Sequence, residues 1–311
     1  MNNRAHRKTE CAHVSSSWCA STCEIMIINQ RITRKQYLLL GSISFFVCFI
    51  VWSGLSYGQI VKSYFLPTPG QIIQALSDLF VKYDLWGDIR ISFLRVMIGF
   101  TLAACIAIPL GALMGTYKTI EALIEPLNDF IRYMPVPAFI PLAILWVGLG
   151  TPSQITIIFI GTFFQLVVMV MDVVANVPKQ YLEVAYTLGL RDSQVFWRVI
   201  LRSALPGIYD SLRVSVGWAW SYLVLAEVVA ADKGVGHMIM EGQRYLRTDN
   251  VIAGIIVIGL LGISIDYVFK LIYPRLFPWA RKIAAYYVNR KAKDQRTIKN
   301  IPFRECAGGG C

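Results

Sequence analysis

VMIGFTLAACIAIPLGALMGTY, residues 96–117, runs 22 residues without a charged side chain. A hydrocarbon core of about 30 Å needs about 20 apolar residues per helix. This run therefore reads as a membrane-spanning helix. Five more stretches meet the same length: Tyr37–Tyr57, Leu127–Leu149, Ile155–Ala175, Val214–Ala231 and Val251–Tyr273. Barrel strands are excluded, because they would alternate over about ten residues. The sequence predicts an all-α integral membrane protein with about six transmembrane helices. Composition agrees: 56% of the 311 residues are apolar and 16% charged, with mean hydropathy +0.53. Soluble domains carry about a quarter charged residues.

The net charge of +11 follows the topology. With the N-terminus inside, inner segments hold 21 Lys and Arg residues and outer segments hold 7. That bias predicts an N-in, C-in orientation. A nucleic-acid surface would need basic and aromatic residues interleaved on one soluble face, and the sequence offers none. Residues 1–35 read as a polar cytoplasmic tail, 36–280 as the transmembrane domain, and 281–311 as a basic cytoplasmic tail. Residues 1–25 have no apolar period; they read as a disordered tail or as an overlong reading frame, since Met26 begins a plausible shorter chain. The first apolar run is too long for a signal-peptide core. Cys11, His13, Cys19 and Cys23 match no regular zinc spacing. With five of the seven cysteines in the tails, free thiols are expected. No metal site and no resident cofactor are predicted.

Gly111 and Gly115 have the spacing that lets helix backbones approach closely in lipid. The second span is thus placed in the bundle interior. GALMGTYK lacks the P-loop spacing, so no nucleotide site is read in the chain. FLPTPGQIIQALSDLF (65–80) predicts a short amphipathic helix at the outer interface, with Ile72, Ile73, Leu76, Leu79 and Phe80 at helical spacing. Pro135, Pro137 and Pro141 interrupt the third span. They predict either a packing kink or a broken helix lining a transport path. Asp129 and Arg132, three apart, are expected to pair. Glu227 and Asp172, near helix ends, are expected to make structural or gating hydrogen bonds. Gln165, Trp218, Tyr222, Pro135 and Pro137 are the candidates for lining a passage, with packing as the alternative for the aromatics.

Between the fourth and fifth spans the pattern changes. NVPKQYLEVAYTLGLRDSQVFWRVILRSALPG (176–207) predicts two short helices at the inner surface. Pro178 starts the first, Gly189 ends it with a left-handed cap, and Leu182, Ala185 and Tyr186 share a face. The second runs from about Ser193 to Leu201, and Pro206 returns the chain to the membrane. The pair makes a knob that another protein can grip.

EVAYTLG followed by WRVILRSALPG resembles the EAA loop of binding-protein-dependent ABC importer permeases. The family pattern is E-A-A, three residues, G, nine residues, then I-x-L-P. This chain keeps Glu183, Ala185, Gly189, Val199 and Leu201 in register. Val184 replaces the first alanine and Arg202 the first proline. RYMPVPAFIPLAILWVGLG (132–150), SFLRVMIGFTLAACIAIPLGALMG (92–115), AEVVAADKGVGHMI (226–239) and ID…RLFPW (265–279) resemble the nitrate, sulfonate, taurine and bicarbonate branch. The resemblance covers about residues 65–280. It implies a homodimeric permease in the bacterial inner membrane, without enzymatic activity of its own. Cytoplasmic ATPase subunits would bind ATP and Mg, and a periplasmic binding protein would deliver a small anion. Glu183, Ala185, Gly189, Leu190 and Pro206 of the loop 178–206 would couple the ATPase to the helices. A neutral, thiamine-precursor-type cargo is the alternative within the family. A self-sufficient secondary transporter would call for paired internal repeats. A membrane enzyme would call for converging His, Cys or carboxylates, and the histidines are only His6, His13 and His237.

Overall fold

The computed structural model describes residues 33–62 and 64–279. The two tails, with Cys11, His13, Cys19, Cys23, Cys306 and Cys311, lie outside the described residues. The chain divides into two compact units, residues 1–68 and 69–311.

In the first unit, α1 (Arg34–Tyr57) opens on a reciprocal cap. The Gln36 amide N–H donates to Thr33 Oγ1 and the Thr33 N–H donates to Gln36 Oε1. Both groups would otherwise be orphan donors at a helix start. Its apolar side chains, among them Phe45, Phe46 and Ile50, are exposed along its length. A helix apolar all round suits a hydrocarbon solvent.

In the second unit, α2 (Pro69–Lys82) is the short amphipathic helix expected. Ile72, Ala75 and Leu79 are buried, whereas Ile73 and Phe80 are exposed, so the expected stripe splits between two faces. The long α3 (Leu85–Thr116) starts eleven residues before the apolar run that announced it. Asp84, in a left-handed conformation, caps it through the Gly87 N–H. Arg90 and Arg95, counted above with an outer loop, therefore lie in the helix.

The centre of the unit is α3 packed on α6 (Thr151–Ala175). A Cβ at Gly111 would lie 2.6 Å from the Val167 carbonyl oxygen, and one at Gly115 would lie 2.6 Å from that of Met171. Only glycine permits that approach. A Cβ at Gly99 would lie 3.1 Å from the Ile155 carbonyl oxygen. The contacts keep the same spacing in sequence, so α3 and α6 run parallel. Two parallel spans need an odd number of membrane crossings between them. The intervening chain therefore crosses once.

That crossing is broken. Helix α4 (Lys118–Arg132) is followed by a 3₁₀ turn (Val136–Phe139) and α5 (Ile140–Val147), with a bend of 91°. Pro135, extended at φ −64° and ψ 122°, separates the two helical parts, whereas Pro141 sits in the first turn of α5, where its missing N–H costs no helical bond. Among the described residues, five helices are long and apolar enough to span a membrane, and this bent pair makes a sixth crossing.

The inner loop departs from expectation. Helix α7 (Lys179–Thr187) is followed by α8 (Asp192–Val195), a π-turn (Phe196–Ile200) and α9 (Leu201–Ala230). The last three are continuous over Asp192–Val229, 38 residues. The expected second short helix is thus the inner end of a long one. Pro206 does not return the chain to the membrane: it sits inside α9. It removes only the donor to the Arg202 carbonyl one turn earlier. Helix α10 (Val235–Arg244) and α11 (Thr248–Leu276) complete the unit. The Tyr209 hydroxyl donates to the Phe269 carbonyl at 3.0 Å, and Arg213 pairs with Asp266. These contacts join α9 to an antiparallel α11.

Candidate functional site

Three places in the second unit carry polar chemistry. The first is the inner loop. Gly189 has φ +76°. Its N–H donates to the Tyr186 carbonyl and the Leu190 N–H to the Ala185 carbonyl. This is the paired bond pattern of a Schellman cap, which needs a left-handed residue. Nothing lies within 4 Å of where a Gly189 Cβ would sit, so conformation and not crowding selects glycine within this chain. Ala185 is buried among Met114, Val195 and Phe196, with Leu182 and Leu190 packed on the same cluster. Tyr186 does not share that face; it is exposed, as are Glu183, Tyr181, Val184 and Leu188. The Tyr186 hydroxyl donates to Asp192 Oδ1, which holds the phenol above its usual pKa. Ala185 and Leu190 thus anchor the knob, and Tyr181, Val184 and Leu188 offer its apolar outer surface.

The second place is a clasp at the outer end. Glu227 is fully buried. Its carboxylate accepts from Ser92 Oγ at 2.7 Å, Arg95 Nη1 at 2.7 Å and the Gly236 N–H at 2.8 Å. Arg95 also donates to the Lys233 carbonyl and to Thr151 Oγ1. The Gly234 N–H donates to Asp88 Oδ1 and the Val235 N–H to Ser92 Oγ. Three successive N–H groups at the start of α10 are thus satisfied by Asp88, Ser92 and Glu227. Asp88, Ser92 and Arg95 lie at i, i+4 and i+7, one stripe of α3. Gly234 has φ +124°, and a Cβ there would lie 2.5 Å from Glu227 Oε1. The expectation of hydrogen bonds for Glu227 holds. Its partners were missed because Arg95 was read as a loop charge. The stripe spacing was the signal that could have found them. Asp172 is exposed.

The third place is at the broken crossing. A cavity of about 40 Å³ is lined by Arg132, Gln165 and Tyr222 with Met134, Val136 and Phe139. Asn128 Nδ2, one turn before Arg132, donates to the Phe164 carbonyl and docks the end of α4 on the middle of α6. A Cβ at Gly161 would lie 2.5 Å from the Tyr222 ring, so glycine lets that ring lie on α6. Gln165 and Tyr222 are therefore brought together at this cavity. Trp218, half-buried, does not line this cavity, and Pro135 and Pro137 are exposed while their neighbours face it. Arg132 Nε lies 3.0 Å from Asp129 Oδ1, the expected pair.

A multi-pass helical bundle with a broken crossing and a capped inner knob is the frame of a transport subunit. The family model for the binding-protein-dependent transport system inner membrane component matches residues 107–278. This chain belongs to that family. It is 32% identical to the taurine transport system permease protein TauC of Escherichia coli over 253 residues, covering 80% of this chain and 91% of that protein. It is 40% identical to a putative ABC transporter permease protein of Methanocaldococcus jannaschii over 259 residues, covering 82% and 96%. It is 29% identical to the nitrate import permease protein NrtB of Synechocystis, covering 71% and 82%. Among solved structures, an inward-facing MetNI methionine ABC transporter matches with TM-score 0.49 and 18% identity, covering 60% of this chain and 94% of that one.

Proposed function

We propose that this chain forms the membrane pathway of an ATP-driven importer for a small anion of the taurine, sulfonate or nitrate type. The observation that carries the reading is the similarity, over most of the chain, to permeases named for taurine, aliphatic sulfonates and nitrate. Two copies would pair in a bacterial inner membrane. A periplasmic binding protein would deliver the anion, and a separate ATPase would bind ATP and Mg and hydrolyse the nucleotide.

The inner knob is the docking element in this reading. Glu183, Val184 and Leu188 would meet the ATPase. Ala185 and Leu190 would pass its movement to the core beneath. Gly189 would hold the cap, and Pro206 lies in the helix that receives the push. A partner that binds one arrangement of the bundle better than another shifts the population toward it.

The test is uptake into proteoliposomes holding this chain, its ATPase and its binding protein, with labelled taurine or nitrate outside. Uptake is expected only with ATP inside the compartment that holds the ATPase. Uptake that persists without the ATPase overturns the reading, and transport of a neutral solute alone overturns the anion assignment. Gly189→Arg should insert normally but lose substrate-stimulated ATP turnover; normal stimulation would remove the knob from the coupling route.

A further inference from the structure

Arg132 is the cation at the broken crossing, and its hydrogen-bonding capacity is largely unused. A guanidinium carries five N–H donors. One goes to the Tyr133 hydroxyl at 3.1 Å, and the group lies 4.8 Å over that ring. Arg132 Nε is shielded from solvent and lies 3.0 Å from Asp129 Oδ1, an ion pair without the alignment of a hydrogen bond. Gln165 and Tyr222 face the same cavity. Neither side chain has a hydrogen-bond partner among the described residues. A shielded donor without a well-aligned acceptor costs free energy, and Arg132 Nε is such a donor. The half-buried Gln165 amide and Tyr222 hydroxyl beside it make the cavity a cluster of donors open to an acceptor.

Position and size agree. Gly161, on the cavity wall, is ten residues into α6, about 15 Å from its outer end and half of a core about 30 Å thick. A water needs roughly 10–15 Å³ of such space. The cavity therefore takes about three water-sized groups, the scale of a trigonal oxyanion or a sulfonate head. Met134, Val136 and Phe139 supply an apolar wall beside the polar one. Charged side chains at membrane depth that face a cavity mark ion pathways.

We infer that Arg132, Gln165 and Tyr222 form a relay site for the oxyanion head of the cargo, with Asp129 as the internal carboxylate that holds Arg132 when the site is empty. The inference rests on the anion-importer reading above. The anion arrives, takes the donors of Arg132, and leaves when Asp129 reclaims them. The exchange keeps the cation compensated throughout and prevents the site from becoming a trap.

The test uses the complete importer in proteoliposomes, with labelled taurine and labelled nitrate as probes. Arg132→Gln should lower ATP-driven uptake at least about tenfold, the scale of one lost charge-assisted hydrogen bond. ATP turnover without substrate and assembly should be unchanged. Arg132→Lys should restore part of the uptake, and Asp129→Asn should slow it, because no carboxylate then reclaims the guanidinium. Uptake by Arg132→Gln within twofold of the unaltered importer overturns the site while leaving the anion-importer reading intact. If Arg132→Gln does not assemble, Gln165→Glu decides. It sets a carboxylate beside the guanidinium and should block uptake; undiminished uptake overturns the proposal. An unaltered importer that takes neither probe but carries a neutral solute overturns both readings together.

Discussion

Two arginines within the helical spans of this chain are treated in opposite ways. Arg95 donates to Glu227, to the Lys233 carbonyl and to Thr151, and it is almost fully buried. Arg132 stands beside a partly exposed Asp129, donates to one neighbouring hydroxyl, and borders a cavity. Both lie among apolar residues, where an uncompensated charge is costly. The first charge is compensated by fixed groups from two other helices and one loop. The second is compensated by a single carboxylate on its own helix. A satisfied network specifies one arrangement, whereas an ion pair with spare donors leaves room for exchange. The outer clasp therefore fixes structure, and the mid-bundle pair is available for traffic.

The largest expected effect comes from breaking the clasp. Glu227→Leu strands Arg95 without its carboxylate and should cost about 3–5 kcal/mol, read as a lowered Tm in detergent micelles. The double variant with Arg95→Leu should recover much of that loss, since replacing both partners removes the orphan charge. Equal loss in both variants would mean that packing, and not charge, holds the corner. Gly234→Ala comes next. Its Cβ meets Glu227 Oε1, and the backbone at φ +124° disfavours a side chain. Overpacking predicts a cost of about 1–3 kcal/mol by the same measurement. Arg132→Gln should change Tm far less, by about 0–1 kcal/mol, because its pair is partly exposed. A Tm loss as large as that of Glu227→Leu would make the two arginines equivalent and dissolve the contrast. Gln165→Leu should leave Tm unchanged within about 1 kcal/mol, because its amide gives up no bond within the described residues.

At the inner loop, the raised phenol of Tyr186 gives a pH expectation of the smallest size. Its folded pKa lies above the unfolded value, so the hydrogen bond to Asp192 contributes fully at neutral pH. That contribution is lost only as pH rises through the alkaline range. Tyr186→Phe should remove this alkaline dependence and leave neutral-pH ATP turnover unchanged.

Much of this architecture was legible in the sequence because membranes demand long apolar runs and glycine contacts. Gly111 and Gly115 announced a close helix pair, and the pair is α3 with α6. Gly189 announced a left-handed cap, and it is one. What stayed hidden was non-local. Arg95 lies one residue before an apolar run, and only the folded partner Glu227, 132 residues on, shows that it belongs inside the bundle. Pro206 reads locally as a breaker, yet a long helix tolerates it because it frees a single carbonyl. The prolines after Arg132 announced a break, with Gln165 and Tyr222 as candidates beside it, but not that Arg132 itself would face the same cavity. Trp218 and Tyr222 share a helical face in sequence, yet only Tyr222 reaches the cavity, because Gly161 opens space beside that ring alone.

The continuity of α9 with the π-turn below it has a mechanical meaning. The 38 residues from Asp192 to Val229 make one rod of about 57 Å, at 1.5 Å per residue. Its inner end starts three residues after Gly189, and its outer end carries Glu227. In the docking role proposed for the knob, the rod would act as a lever with the knob at its handle and the clasp at its tip. A tilt of about 5° at the handle sweeps the tip through roughly 5 Å over that length. Such a stroke exceeds the 2.7–2.8 Å length of the hydrogen bonds at Glu227, so as long as the clasp stays fastened it holds the tilt of the whole rod, down to its inner end, within a few degrees.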